Sequence, residues 1–380
     1  MIIKIINNFN FLKYIFIIFI VLVICLFVKK YYYTESFENK LRYYRCDIKR
    51  MGKITNEIFE ENNIIKDNEN WNVYVPCGYN HIEKELLTIK NRNKNNTLYI
   101  FGINGCDSIV SKNKIWDSLV NCFGRNEAAK YMPESFVLHK ASDMELFRKK
   151  FNSNNIYILK KNVQRKEGLK LTSNLKVILN SVLDNYRIVQ VYLKNLYLVN
   201  KRKVNLRIYL LIVIGNGYKT FYISNIGKCI YTRKEYNDNN MDFESNITSY
   251  NLDMNVYKNN PRSFDELFYY LDKKSKNSSQ ILSNNIYKLM TNVSKCLSNN
   301  IYQSNNIKNN VCFQLFGADV IFDNNYNAYL LELNKGPDMI PRDDIDKTMK
   351  KQVQNDMFKL VGILPNNNSN VFHEIYKSSL

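Results

Sequence analysis

The chain has 380 residues, long enough for two or three domains of ordinary size around a substantial core. Its 54 Lys and Arg against 35 Asp and Glu leave a net charge of +19, which steers the surface toward polyanions: nucleic acid, an anionic membrane face or an acidic protein tail. With three histidines, a His-based triad or a His-rich metal site has little to work with. Eight scattered cysteines without a C-x-x-C pair argue against a zinc ribbon or a disulfide framework and fit a reducing compartment.

In chain order, the first feature is an apolar run from Tyr14 to Val28. As a helix it covers about 22 Å, so it reaches the bilayer's apolar thickness of about 30 Å only with Phe11, Leu12 and the following tyrosines counted in. No small-residue cleavage site follows, which predicts a retained single-pass membrane anchor over residues 1–33. Lys29, Lys30, Lys40, Arg42, Arg45, Lys49 and Arg50 after the run outweigh Lys4 and Lys13 before it. The bulk of the chain is therefore expected in the cytosol. Residues 34–70 read as a charged, Asn-rich spacer with a short helix around Ile54 to Ile65. Residues 71–145 alternate strands (Trp71 to Gly78, Thr97 to Ile103, Ser135 to Leu138) with helices (from Ile82, and Trp116 to Cys122), the pattern of a small α/β domain.

Residues 146–345 carry the densest β signal. Asn155 to Lys160 and Arg187 to Leu193 are strands. Val204 to Ile214 and Tyr218 to Ser224 form a hairpin turning through Gly215-Asn216-Gly217, whose glycines supply positive φ. Helices are expected at Phe264 to Leu271 and Ile281 to Leu297, and then a second hairpin, Phe316 to Phe322 and Ala328 to Leu333. Residues 346–380 read as one amphipathic helix and a frayed Asn-rich tail.

Three polar residues interrupt that last hairpin: Asp319 on its first strand, Glu332 and Asn334 two apart on one face of its second. Carboxylate and carboxamide oxygens are what Mg²⁺ takes, with water and phosphates as its other ligands. From the residues alone two readings stay open, a divalent-cation site or a solvated turn. Upstream, Lys160 ends a strand before a loop holding Arg165, Lys166 and Gly168. Lys203 and Arg207 lie four apart, and Lys219 begins the partner strand. Such cations neutralise a triphosphate and a phosphoryl group in flight. Charge and tyrosines also suggest a nucleic-acid binder, but no RNP, helix-turn-helix or zinc pattern supports it.

The order of these segments resembles the tubulin–tyrosine ligase family of ATP-grasp enzymes, from about Ser111 to Met339. SKNKIWDSLVNCFGRNEAAKYMPESFVL, YILKKNVQRKEGL, IVQVYLKNLYLVNKRKVNLRIYLLI, NITSYN and FQLFGADVIFDNNYNAYLLELNKGP stand in the family's order. The resemblance implies an α/β ATP-grasp fold preceded by a small α/β domain, and an ATP- and Mg²⁺-dependent ligase joining a free amino acid to tubulin or another acidic protein acceptor through an acyl phosphate. It assigns Lys160, Lys166, Gly168, Gln190, Val191, Tyr192, Leu193 and Lys203 to the nucleotide. Arg207 and Lys219 go to the acceptor or acyl phosphate, and Asp319, Glu332 and Asn334 to Mg²⁺. The chain departs from the family pattern at Lys161 (usually Pro), Val191 (Lys), Asn205 (Asp) and Ser249 (Asn), and its phosphate loop has one glycine where several are usual. Loss of catalysis, leaving a nucleotide-binding microtubule tether, is the alternative those departures allow.

Overall fold

The computed structural model describes residues 19–26, 41–46, 52–89, 97–163, 168–237, 241–248, 254–366 and 370–380. The chain begins with β1 (Arg42–Tyr44), α1 (Lys53–Glu61), β2 (Ile65–Lys66), β3 (Val73–Tyr74) and β4 (Tyr99–Phe101). Next come α2 (Lys112–Phe123), β5 (Ser135–Val137), α3 (Ala141–Lys150), β6 (Tyr157–Lys160), β7 (Leu169–Thr172), β8 (Ile188–Val191) and β9 (Leu198–Val199). The long hairpin β10 (Arg202–Gly215) and β11 (Tyr218–Tyr231) leads through α4 (Phe264–Lys274) and α5 (Ser278–Leu297) to the hairpin β12 (Val311–Phe322) and β13 (Ala328–Asn334). The chain closes with α6 (Asp344–Leu360) and β14 (Phe372–Ser379).

These strands make a mixed ten-stranded sheet in the order β14-β11-β10-β12-β4-β3-β1-β2, with β13 added on β12 and β9 on β10, and an antiparallel four-stranded sheet in the order β5-β8-β6-β7. The large sheet is apolar on both faces because its central strands are apolar at both parities. On β10, Leu206, Ile208, Leu210, Ile212 and Ile214 share one core with Leu267 of α4 and Leu289 and Val293 of α5. Tyr209 and Leu211 turn the other way, to Ile58 and Phe59 of α1 and Met357 and Phe358 of α6. A third core, with Phe136, Phe147, Tyr157 and Val189, packs α3 on the small sheet. The fold is thus mixed α/β, as expected, and strands β1 to β4 share one large mixed sheet with β10 to β14.

Several expectations change. The spacer is part of the core: Ile54, Ile58 and Phe59 are buried, and the Phe59 ring lies 5.1 Å from that of Phe358. The tail is not frayed, because the outer edge of β11 offers unpaired backbone groups that β14 satisfies while burying Phe372 and Ile375. Cys46 is bonded to Cys77 and Cys122 to Cys296, across 31 and 174 residues, pairings that tertiary contact creates and local spacing does not show. Most of the expected anchor lies outside the described residues. Its described part is a helix with exposed side chains at Phe19 and Leu26, and among the described residues no helix is long and apolar enough to cross a membrane.

Candidate active site

A cavity of about 450 Å³ opens between the four-stranded sheet and strands β10, β12 and β13. Lys160 enters it from β6, Gln190 and Val191 from β8, and Tyr192 and Leu193 from the segment after β8. Lys203, Asn205 and Arg207 enter from β10, Asp319 from β12, and Glu332 and Asn334 from β13. Residues far apart in the chain meet here because β10 and β12 are neighbours and β13 folds back on β12.

At one end, strand register sets the chemistry. Arg207 stands opposite Asp319, and Asp319 opposite Glu332, just before a β-bulge at Asp319–Val320. Arg207 forks onto Asp319 through Nε–Oδ1 at 2.6 Å and Nη2–Oδ2 at 3.1 Å, a bidentate charge-assisted pair. Asn334 Nδ2 lies 3.3 Å from Asp319 Oδ2 and 3.4 Å from Glu332 Oε1, so the three side chains converge on one point. Which atom of the Asn334 amide faces the carboxylates is set by the hydrogen-bond network, and turning it presents a third oxygen. This donor set fits Mg²⁺. Burial pushes the Asp319 carboxyl above the usual carboxylate range, against the pull of Arg207. Burial also acts upward on Glu332, but Lys112 and Lys160 outweigh it and hold that carboxyl low.

Two buried lysines also enter the cavity. Lys160 donates to the Leu331 carbonyl at 3.3 Å, and burial lowers its pKa to about 8. Lys203 donates to the Asn246 carbonyl at 3.0 Å and sits over the Tyr192 ring at 4.7 Å. Burial first, then the nearby Lys160, lower its pKa to about 7. Gln190 is locked by donating to Ser135 Oγ at 2.8 Å and to the Pro133 carbonyl at 3.2 Å. Asn205 donates to Thr248 Oγ1 at 2.8 Å, while its buried Oδ1 has no hydrogen-bond partner among the described residues. A partnerless acceptor lining a cavity is ready for a donor on a ligand.

Two expected residues stand elsewhere, Lys219 and Gly168, and a third, Lys166, is not described. Lys219 is not brought to the cavity: its Nζ donates to the carbonyls of Ser298 and Ile301. The β11 residue opposite Arg207 is Lys228. Lys166 lies outside the described residues. Gly168 does not line the cavity, although Leu169 does, and a Cβ there would come within 2.6 Å of Val163 Cγ2. Its glycine character serves close packing of the loop. Conversely, sequence reasoning passed over Lys112, which is buried, with Nζ 3.1 Å from Glu332 Oε2 and donating to the Val163 carbonyl at 3.2 Å. The one signal for it was its place in the SKNKIW stretch that opens the family-like region.

Comparison with known proteins gives the family. The model of the tubulin-tyrosine ligase family matches residues 88–371. Tubulin monoglutamylase TTLL4 of Mus musculus is 26% identical over 69% of this chain and 23% of its own length. Tubulin glycylase 3B of Drosophila melanogaster is 26% identical over 57% of this chain and 30% of its own, and a probable beta-tubulin polyglutamylase of Tetrahymena thermophila is 25% identical over 61% and 21%. The chain thus spans between a fifth and a third of the length of these relatives. A family match over most of the chain, joined to the cavity its motifs build, identifies the chain as a member of the tubulin–tyrosine ligase family.

Proposed function

We propose that the chain is an ATP-dependent carboxylate–amine ligase of the ATP-grasp type that joins a free amino acid to an acidic protein acceptor, tubulin first among them. One observation carries this reading: Asp319, Glu332 and Asn334 converge in a cavity that the buried Lys160 and Lys203 also enter. The names of the relatives, which are tubulin glutamylases and glycylases, support the acceptor class, as does the net charge of +19.

In this reading Gln190 to Leu193 border the base, and the partnerless Asn205 Oδ1 with Thr248 faces the sugar. Lys160 and Lys203 hold phosphate oxygens, as does Lys166 from the loop. Mg²⁺, when bound, supplies charge neutralisation to the phosphoryl oxygens. The acceptor carboxylate attacks the γ-phosphorus, the bond from phosphorus to the ADP oxygen breaks, and an acyl phosphate forms. The amine of the amino acid then attacks the acyl carbon. The amine loses a proton, the C–O bond to phosphate breaks, and an amide remains. Arg207 and Lys112, each against a carboxylate of the site, stabilise the negative charge that builds up at the reacting oxygens.

The anchor belongs to the same proposal: residues 1–33 hold the enzyme on a membrane with its catalytic part in the cytosol. A second reading, a weakened enzyme that binds nucleotide and tethers microtubules, is favoured by Val191, Asn205 and Ser249 in place of the family's usual residues. The deciding experiment is mass spectrometry of tubulin incubated with the chain, ATP, Mg²⁺ and all amino acids. The ligase reading expects added amino acids that vanish with Asp319→Ala and Glu332→Ala. Nucleotide binding and microtubule co-sedimentation without any addition would establish the tether instead.

A further inference from the structure

Lys228 lines no part of the candidate active site, yet strand register places it next to a residue that does. It stands opposite Arg207 of β10, and Arg207 stands opposite Asp319 of β12, so the three side chains form one row on one face of the sheet. Both oxygens of Asp319 are taken by the Arg207 fork. A lysine directly across from an arginine is a like-charge pair, which is unfavourable unless an anion offsets it.

That anion is Asp346, in the first turn of α6. Lys228 Nζ lies 3.1 Å from Asp346 Oδ1. The other oxygen, Oδ2, accepts from Lys350 Nζ at 2.8 Å and from the Arg342 backbone N–H at 2.9 Å. Lys350 Nζ also donates to the Ile340 carbonyl at 2.7 Å, and both Ile340 and Arg342 line the candidate active site. Asp346 and Lys350 are buried. Burial acts upward on the Asp346 carboxyl, but Lys350 and Lys228 outweigh it and hold it low, which keeps the charge in place. One buried carboxylate thus divides its oxygens. The first serves the cation beside Arg207, and the second serves the segment that walls the cavity.

Resting on the ligase reading, we propose that Asp346 is a positioning residue of the site: it offsets Lys228, so that Arg207 keeps its fork on Asp319 and a divalent cation can settle on Asp319, Glu332 and Asn334. Neither Asp346 nor Lys228 touches the metal or the nucleotide. Without the anion, Lys228 repels Arg207 across the strand pair. It also adds an uncompensated positive charge two strand spacings, about 10 Å, from Asp319, which opposes a second cation there.

Asp346→Asn isolates this role. A carboxamide keeps one oxygen, which the donors of Lys350 and Arg342 retain, and turns its NH₂ toward Lys228. The measurement is binding of Mn²⁺, standing in for Mg²⁺, to the full-length chain with a non-hydrolysable ATP analogue, read by electron paramagnetic resonance. Asp346→Asn is expected to weaken Mn²⁺ at least fivefold. Adding Lys228→Met to it is expected to bring Mn²⁺ back to within twofold of the wild type, because the charge that needed an anion is gone. Lys228→Met alone is expected to bind Mn²⁺ at least as tightly as the wild type.

An unchanged Mn²⁺ affinity in folded Asp346→Asn overturns the proposal. So does a double variant as weak as the single one, since damaged packing at α6 is not repaired by removing Lys228, and so does a fivefold loss in Lys228→Met. Thermal melts report folding. Should Asp346→Asn not fold, the double variant decides by the same twofold and fivefold limits, because removing both partners of a buried pair is milder than removing one. A wild-type chain that binds no Mn²⁺ beside the ATP analogue fails the ligase reading itself. One that binds it, with Asp346→Asn unchanged, fails only the role given to Asp346.

Discussion

Burial holds two lysines of the candidate site where their charge is disfavoured, Lys160 with a pKa of about 8 and Lys203 of about 7, against an ordinary 10.5. The unfolded chain therefore binds more protons than the folded one between about pH 7 and 10.5. Stability rises with pH through that window, and the penalty is present in full below about pH 7. A polyphosphate in the cavity restores the charged forms. Binding of ATP at pH 8 is thus expected to take up protons, on the order of one per site, and to take up almost none at pH 6, where both lysines are already charged. Calorimetry in buffers of different ionisation enthalpy reads the proton count directly, and equal counts at the two pH values would refute the lysine placement. Arg207 yields a second expectation. Its fork on Asp319 lies almost fully inside the protein, so Arg207→Ala leaves a buried carboxylate unpaired. The expected cost is about 3–5 kcal/mol. Urea unfolding checks this, and the double variant Arg207→Ala with Asp319→Ala should recover part of the loss.

Secondary-structure elements show what a sequence discloses and what only register supplies. The hairpins β10–β11 and β12–β13 were legible because their apolar runs are long and their turns are rich in Gly, Asn and Asp, and the cluster of Asp319, Glu332 and Asn334 was legible because polar residues stand out in such runs. Which cation of β11 comes near the site was not, because the tight turn puts Lys219 opposite Ile214 and a bulge between Ile208 and Leu210 then shifts the pairing to bring Lys228 opposite Arg207. Lys112 was equally hidden. It is the first residue of an amphipathic helix, and only tertiary packing takes it to Glu332. β14 escaped because its alternation is short and follows an Asn-rich stretch. The same bulge rests on Gly227, whose place a Cβ could take only 2.6 Å from the Arg207 carbonyl and 2.3 Å from Phe264 Cζ. Gly227→Ala is expected to destabilise by about 1–3 kcal/mol through overpacking. It should also raise the KM for ATP by moving Arg207. A thermal melt and a KM measurement on one preparation test both, and a wild-type melting temperature would show that the hairpin tolerates the methyl group.

For the whole molecule, the proposed anchor at residues 1–33 requires the rest of the chain to face one compartment, and two features of the chain pull apart. Basic residues after the apolar run favour the cytosol, where ATP is abundant. The bonds Cys46–Cys77 and Cys122–Cys296 are of a kind that persists in oxidising compartments. Glycosylation acceptors separate the two. Of the sequons at Asn95, Asn246, Asn277, Asn292 and Asn367, the first and last lie outside the described residues and Asn246 is fully buried, its Nδ2 donating to the Asp242 carbonyl at 2.9 Å. Asn292 is half-buried, whereas Asn277 is exposed at the start of α5, which makes it the informative reporter. The cytosolic orientation proposed above predicts that full-length protein from cells carries no glycan on Asn277. A glycosidase-sensitive mass shift that disappears in Asn277→Gln would reverse the orientation. It would also require a supply of ATP on the far side of the membrane before the ligase reaction could run there.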